Sequence, residues 1–167
     1  MEVIKGKVFI FGNNIDTDQI YPGRYIELTD HEEIATHVME GADPSFSSSV
    51  KPGDIVVGGK NFGCGSSREH AVIGLKNAKV GAVVAKSFAR IFFRNAINHG
   101  LVVIEAPNLD DLSLKGGEYA KLDVLKGEFI SGGGKITFPP LPVNVIEIIE
   151  AGGIFSLFKT KGVSAFG

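Results

Sequence analysis

The chain has one cysteine, Cys64, in 167 residues. A lone thiol excludes an internal disulfide framework, and it excludes a zinc or iron–sulfur site built from this chain's thiolates alone. Tryptophan is absent, and no apolar run approaches the roughly 18 residues that a membrane helix requires. The first residues, Met1-Glu2-Val3-Ile4-Lys5, lack the basic, apolar and small-residue zones of a secretory signal. These absences predict a soluble, cytoplasmic protein. Net charge is only −2, with no basic block or aromatic-interleaved basic stripe, which removes the electrostatic footprint of a nucleic-acid binder. Arginine is scarce as well. Of 17 basic residues only Arg24, Arg68, Arg90 and Arg94 are arginine, all between positions 24 and 94. Planar bidentate donors are therefore confined to one stretch, where carboxylate recognition or fixed ion pairs would use them.

What is present reads as one α/β domain over 1–167, long enough to bury roughly 70% of the surface its unfolded form exposes. Val3 to Phe11 is a β-branched run ending at Gly12-Asn13-Asn14, a strand entering a loop that extends to about Thr29. Thr29-Asp30-His31-Glu32 has capping-box spacing, and Ile34, Ala35 and Val38 then recur at helical intervals up to Met39. After polar residues 44–49, Gly53 to Gly58 is a short apolar strand that delivers the chain into Gly58-Gly59-Lys60-Asn61-Phe62-Gly63-Cys64-Gly65. Ala71, Val72, Leu75 and Ala78 mark the inward face of the next helix, and Val80 to Ala85 is a buried strand of parallel-sheet type. Ser87 is the expected cap of a helix through Phe92, Phe93 and Ile97 to His99-Gly100, followed by a strand at 101–104. Beyond Pro107 the pattern changes to strands at 119–125 and 135–138 and a closing helix at 143–150. The fold class is thus a mostly parallel central sheet with β-rich ends.

Gly65-Ser66-Ser67-Arg68-Glu69-His70 places two hydroxyls and a guanidinium at an expected helix start, where free N–H groups favour anions. Ser66-Ser67-Arg68-Glu69 also fits a capping box, so Ser66 satisfying a backbone N–H is an equal alternative on local sequence. Neither nucleotide motif is present. A P-loop needs Lys directly before its Ser or Thr, and a dinucleotide fingerprint starting at Gly63 needs a small residue where Arg68 stands. No metal-ligand spacing emerges from His31, His37, His70 and His99. Arg90 and Arg94, one helical turn apart, read as structural or interface cations, which leaves Arg24 and Arg68 as ligand candidates.

Three stretches carry a resemblance: Asp16-Thr17-Asp18-Gln19-Ile20 with Pro22-Gly23-Arg24-Tyr25; Asn61 to His70; and Ala85-Lys86-Ser87-Phe88-Ala89-Arg90-Ile91-Phe92 with Arg94-Asn95-Ala96-Ile97-Asn98. They are similar to the small subunits of the 3-isopropylmalate dehydratases (isopropylmalate isomerases) and, more broadly, to the β/β/α swivelling domain of the aconitase family. The resemblance implies a hydro-lyase of leucine biosynthesis, active only with a large subunit, in a heterodimer or heterotetramer. No cofactor is then bound by this chain alone, a [4Fe-4S] cluster being held by cysteines of the large subunit. It implies Ser66 as the base for a substrate proton, Ser67 and Arg68 as carboxylate ligands, and Thr17 and Asp18 at the site, with Asp18 orienting groups or handling protons. Substrate choice is expected in a mobile loop at about 19–30, where Arg24, Tyr25, Ile26 and Leu28 would face a small branched hydroxy-dicarboxylate. Related small subunits acting on homoaconitate, citraconate and citramalate, or dimethylmalate remain open alternatives, as does a non-catalytic carboxylate-binding module.

Overall fold

The computed structural model describes residues 1–161, so 162–167 of the expected single domain lie outside the described residues. Four strands, β1 (Ile4–Ile10), β2 (Ile55–Gly58), β3 (Ala82–Ala85) and β4 (Val103–Glu105), pair side by side in parallel. Every residue of β2 and β3 is buried, as strands covered on both faces require. On the other side of β1 the sheet continues antiparallel through β5 (Tyr119–Asp123), β6 (Glu128–Ser131) and β7 (Gly134–Thr137), completing a seven-stranded order β4-β3-β2-β1-β5-β6-β7. The sheet is therefore parallel on one side and a hairpin meander on the other.

Alternation along the central strands divides the core in two. Val56, Val83 and Val103 join Ile20, Tyr21, Phe46, Leu75 and Phe92 on one face; Ile55, Val57, Val84 and Ile104 join Leu122, Phe129 and Ile149 on the other. Burial of each such side chain contributes about 1.5–3 kcal/mol. The chain steps β1 to β4 in one direction across the sheet, and crossovers of one hand then put their helices on one face. Accordingly α4 (Glu69–Asn77) and α5 (Arg90–Asn98) bury Ala71, Val72 and Leu75, and Phe92 and Ala96, in the same first core.

The loop after β1 is more ordered than its sequence suggests. Asp16 caps α1 (Thr17–Ile20): its Oδ1 accepts from Gln19 N at 2.8 Å while Gln19 Oε1 accepts from Asp16 N at 3.0 Å. The next helix, α2 (His31–Ala35), starts one residue later than the Thr29 box predicts, because Asp30 accepts the Glu33 N–H. It also stops short of Met39, which adopts φ 60°. The polar run before β2 contains α3 (Phe46–Ser49), anchored by the fully buried Phe46. The closing helix appears as α6 (Val143–Glu150), and α7 (Ile154–Lys161) follows it without having been expected.

Candidate functional site

The carboxyl ends of β1, β2 and β3 converge, and backbone pairing there builds the site, the usual position for ligands on a parallel sheet. Gly59 N donates to Gly12 O at 3.0 Å, Gly63 N to Ile15 O at 2.7 Å, and Thr17 N to Cys64 O at 2.9 Å, zipping the segment after β1 to the one after β2. On the other flank Phe62 N donates to Ser87 O at 3.0 Å and Ala89 N to Phe62 O at 2.9 Å. Gly63, at φ 83°, lies so close to Phe92 that a Cβ would overlap the ring, which is why α5 can seat against the corner.

Ser66 is not a helix cap. The buried Thr17 donates its Oγ1 to Ser66 O at 2.9 Å, and Gly65 turns the chain at φ 98°. The chain stays extended through Arg68, the N-cap residue at φ −145° and ψ 105°, and α4 starts at Glu69. Both Ser66 and Ser67 are exposed, and neither hydroxyl has a hydrogen-bond partner among the described residues. They are free for a ligand.

Arg68 ties this corner to α1. Its Nη1 donates to Tyr21 O at 2.7 Å and to Asp18 Oδ1 at 3.2 Å, and the guanidinium side chain is only 14% exposed. Asp18 Oδ1 also accepts from Gly23 N at 2.8 Å. The Gly23 N–H, with Arg68 second, holds the Asp18 carboxyl below the usual carboxylate range. A carboxylate so held is ionised at neutral pH and orients Arg68; it is a poor proton donor there. Because its folded pKa is depressed, its stabilising contribution is present above the ordinary value of 3.8 and is lost only as pH falls through the lower folded value. Asp18→Asn is accordingly expected to weaken the Arg68 contact and leave Arg68 held by Tyr21 O alone, with acid unfolding shifted because the depressed carboxyl is gone. An acid-unfolding midpoint unchanged from that of the unaltered chain would show that the Gly23 and Arg68 contacts do not stabilise the corner.

A recess of about 220 Å³ opens between the corner and α5, lined by Thr17, Gly65, Ser66, Ser67, Arg68 and, from α5, Arg90, Ile91 and Asn95. That is below the roughly 300–1,000 Å³ typical of small-molecule sites. Ser87, the expected cap of α5, instead accepts the Asn61 N–H on its Oγ at 2.8 Å. The N-cap position falls to Ala89, which has no capping side chain, so the free first-turn N–H groups of α5 border the recess. The positive helix end at the site is thus that of α5. Sequence reading missed Arg90, Ile91 and Asn95 as lining residues; the available signal was an arginine directly after an alanine that cannot cap.

The expected loop residues lie apart from this recess. Arg24 Nη2 and Tyr25 OH both donate to Glu40 Oε1, at 2.7 and 2.8 Å, while His37 Nδ1 stands 2.8 Å from Glu40 Oε2. The Tyr25 and His37 rings stack at 3.6 Å. His37, ahead of Tyr25 and Arg24, keeps the Glu40 carboxyl below its ordinary range. Leu28 packs against the first core, with His70 Nε2 3.0 Å from its carbonyl, and Ile26 is 49% exposed. Thr17, Ser66, Ser67 and Arg68 come together with Asp18 behind them; Arg24, Tyr25, Ile26 and Leu28 form a neighbouring ledge.

Among the described residues no group of three His, Cys, Asp or Glu side chains could hold a metal ion. No helix there is long and apolar enough to cross a membrane. Residues 10–109 match the family model described as the aconitase C-terminal domain. The chain is 50% identical over 167 residues to the 3-isopropylmalate dehydratase small subunit 1 of Methanopyrus kandleri, covering 99% of this chain and 98% of that protein. It is 51% identical over 161 residues, 95% of each chain, to the isopropylmalate/citramalate isomerase small subunit of Methanocaldococcus jannaschii. A crystal structure of 3-isopropylmalate dehydratase from the same organism superposes with a TM-score of 0.91 at 44% identity, covering 98% of this chain and 97% of that one.

Proposed function

Since the chain belongs to the aconitase C-terminal domain family, we propose that it is the small subunit of a 3-isopropylmalate dehydratase, interconverting 2- and 3-isopropylmalate by dehydration and rehydration in leucine biosynthesis. The observation that carries the reading is the recess in which two unpartnered serine hydroxyls stand beside an anchored arginine, in a chain half identical to such subunits along its whole length. Ser66, as the alkoxide, removes a proton from the substrate carbon and becomes the hydroxyl; the C–O bond on the adjacent carbon breaks, the departing hydroxide takes a proton from a general acid on the partner's side of the site, and water and an alkene dicarboxylate result. Re-addition of water with the opposite orientation gives the isomer, Ser66 returning its proton. A free serine hydroxyl is a weak base, so the anion needs the N–H groups and positive end of α5 and the guanidiniums beside it. Ser67 and Arg68 hold a substrate carboxylate, and Asp18 and Thr17 fix the corner that presents them.

The [4Fe-4S] cluster that the family implies needs more thiolates than the single cysteine of this chain, and a large partner subunit would hold it, where it would supply a Lewis acid. That partner closes the open side of the recess and excludes water, which strengthens every charge interaction inside.

The name of the Methanocaldococcus jannaschii relative pairs isopropylmalate with citramalate, which favours a second reading with a smaller alkyl group. Ile26, the exposed apolar side chain of the ledge, is the candidate discriminator. Specificity constants for 2-isopropylmalate and citramalate are to be compared in the anaerobic complex. A preference for isopropylmalate that Ile26→Ala cuts by roughly tenfold, with citramalate little changed, supports the first reading. Higher efficiency on citramalate in the unaltered complex selects the second.

A further inference from the structure

The arginines of this chain divide by what they already hold. Arg24 is paired with Glu40 and lies over the Tyr25 ring, its guanidinium carbon 4.8 Å from the centroid. Arg68 spends Nη1 on Asp18 and Tyr21 and is mostly buried. Arg90 and Arg94 have neither an ion pair nor a hydrogen bond among the described residues. Of these two only Arg90 lines the Ser66 recess; both border a second depression with Phe93, Ile97 and Asn98. Arg90 is exposed, is the first residue of α5, and is joined in the recess by the Asn95 side chain.

A cation in the first turn of a helix opposes the local dipole, and Arg90 lacks the carboxylate that would offset it. An anionic ligand in the recess supplies that charge. The substrate of the proposed reaction, on which this inference rests, carries two carboxylates, and Arg68 can accommodate only one beside Ser67. We propose that Arg90 is a substrate-binding residue that takes the second carboxylate of the dicarboxylate, with the α5 N–H groups beside it and Asn95 as a neutral donor. Arg68 and Arg90 then hold one carboxylate each in the recess whose lining Ser66 shares. The planar fork of an arginine suits this bidentate contact, which an ammonium reproduces only in charge.

The test is calorimetric binding of isopropylsuccinate, a dicarboxylate without the reacting hydroxyl, to the complex assembled with the large subunit, compared with a monocarboxylate of the same carbon skeleton. Arg90→Gln is expected to weaken isopropylsuccinate binding about 10- to 100-fold while changing monocarboxylate binding less than threefold. Arg90→Lys should recover part of the loss, and Arg94→Gln should leave both ligands unaffected. Sedimentation of each variant checks that assembly is intact. Equal loss for both ligands, or unchanged affinity for isopropylsuccinate, overturns the proposal. So does a defect confined to assembly, which would make Arg90 an interface residue. If the unaltered complex binds isopropylsuccinate in an Arg90-dependent manner yet turns over no isopropylmalate, the isomerase reading falls while the role of Arg90 in dicarboxylate binding stands.

Discussion

In the assembled enzyme, Ser66→Ala lowers kcat by about 10²–10⁴-fold and leaves KM nearly unchanged, the range associated with loss of a positioned general base. The prediction follows from how the corner is built. Thr17 Oγ1 fixes the Ser66 carbonyl and Gly65 turns the backbone, so the main chain holds its course without the side-chain oxygen. The Ser66 hydroxyl is exposed and makes no hydrogen bond within the described chain, so its removal leaves no orphaned partner and no cavity. Stability should accordingly change by less than about 0.5 kcal/mol, as for a surface substitution. An interaction made only as the proton is transferred lowers kcat without raising KM. Turnover numbers with saturating substrate, together with thermal melts of the isolated chain, read both halves of the prediction. A Ser66→Ala enzyme within twofold of the unaltered one would remove the serine from the chemistry.

Arg68→Gln has a different signature, with activity and folding falling together. The lost guanidinium bridges Tyr21 O, which belongs to a buried residue, and Asp18 on the segment before it. A buried carbonyl deprived of a charged donor costs about 1–3 kcal/mol, whereas Asp18 is 71% exposed and can hydrate. The fully buried Tyr21 lies at the C-cap of α1, so the disturbance reaches the segment carrying Thr17. Loss of carboxylate recognition adds to this misplacement, and kcat/KM is expected to fall by at least about 10³-fold. Arg68→Lys should not rescue it, because Nη1 alone serves Tyr21 O and Asp18 and leaves the rest of the planar donor set for a ligand, which one ammonium cannot do at once. Guanidinium added to the assay of Arg68→Gln should restore a measurable fraction of activity if the missing group is the donor itself. A normal melting profile with full activity would show that neither bridge matters.

The parallel half of the sheet was legible because β2 and β3 are short runs of buried Ile, Val, Ala and Gly, a composition that strands covered on both faces share. Strand β6 was not legible: in Glu-Phe-Ile-Ser only Phe129 and Ser131 turn inward, and four residues carry too little alternation to register. Capping boxes were readable as patterns and unreliable as positions. Asp16 and Gln19 form one that went unnoticed, while Ser66 and Glu69 match one that does not form. The difference is tertiary: the Thr17 hydroxyl, 49 residues from Ser66 in sequence, pins the Ser66 carbonyl in a corner that stays extended through Arg68.

Thr17, Ser66, Ser67 and Arg68, proposed to carry the chemistry, could be chosen from the resemblance and do line one recess, but the electrostatics of their surroundings could not be read. The helix that directs its N-terminus at the recess is α5, and its start was displaced from Ser87 to Ala89 by the Ser87 Oγ contact with Asn61, another bond across a long sequence separation. Arg90 was visible as one of four arginines, yet its place in the recess depends on the approach that Gly63 permits to Phe92. The pairing of Arg24 and Tyr25 with Glu40 likewise depends on the turn after α2 that brings Glu40 back to the loop.

The central claim is that this chain is one half of an active site whose base is Ser66. Its most direct measurement mixes the purified chain anaerobically with the large iron–sulfur subunit that the proposal requires and follows interconversion of 2- and 3-isopropylmalate. Neither chain should turn over substrate alone, the mixture should do so in both directions, and the mixture made with Ser66→Ala should be nearly inert. Absence of turnover in the complete mixture, or equal turnover with Ser66→Ala, would contradict the account.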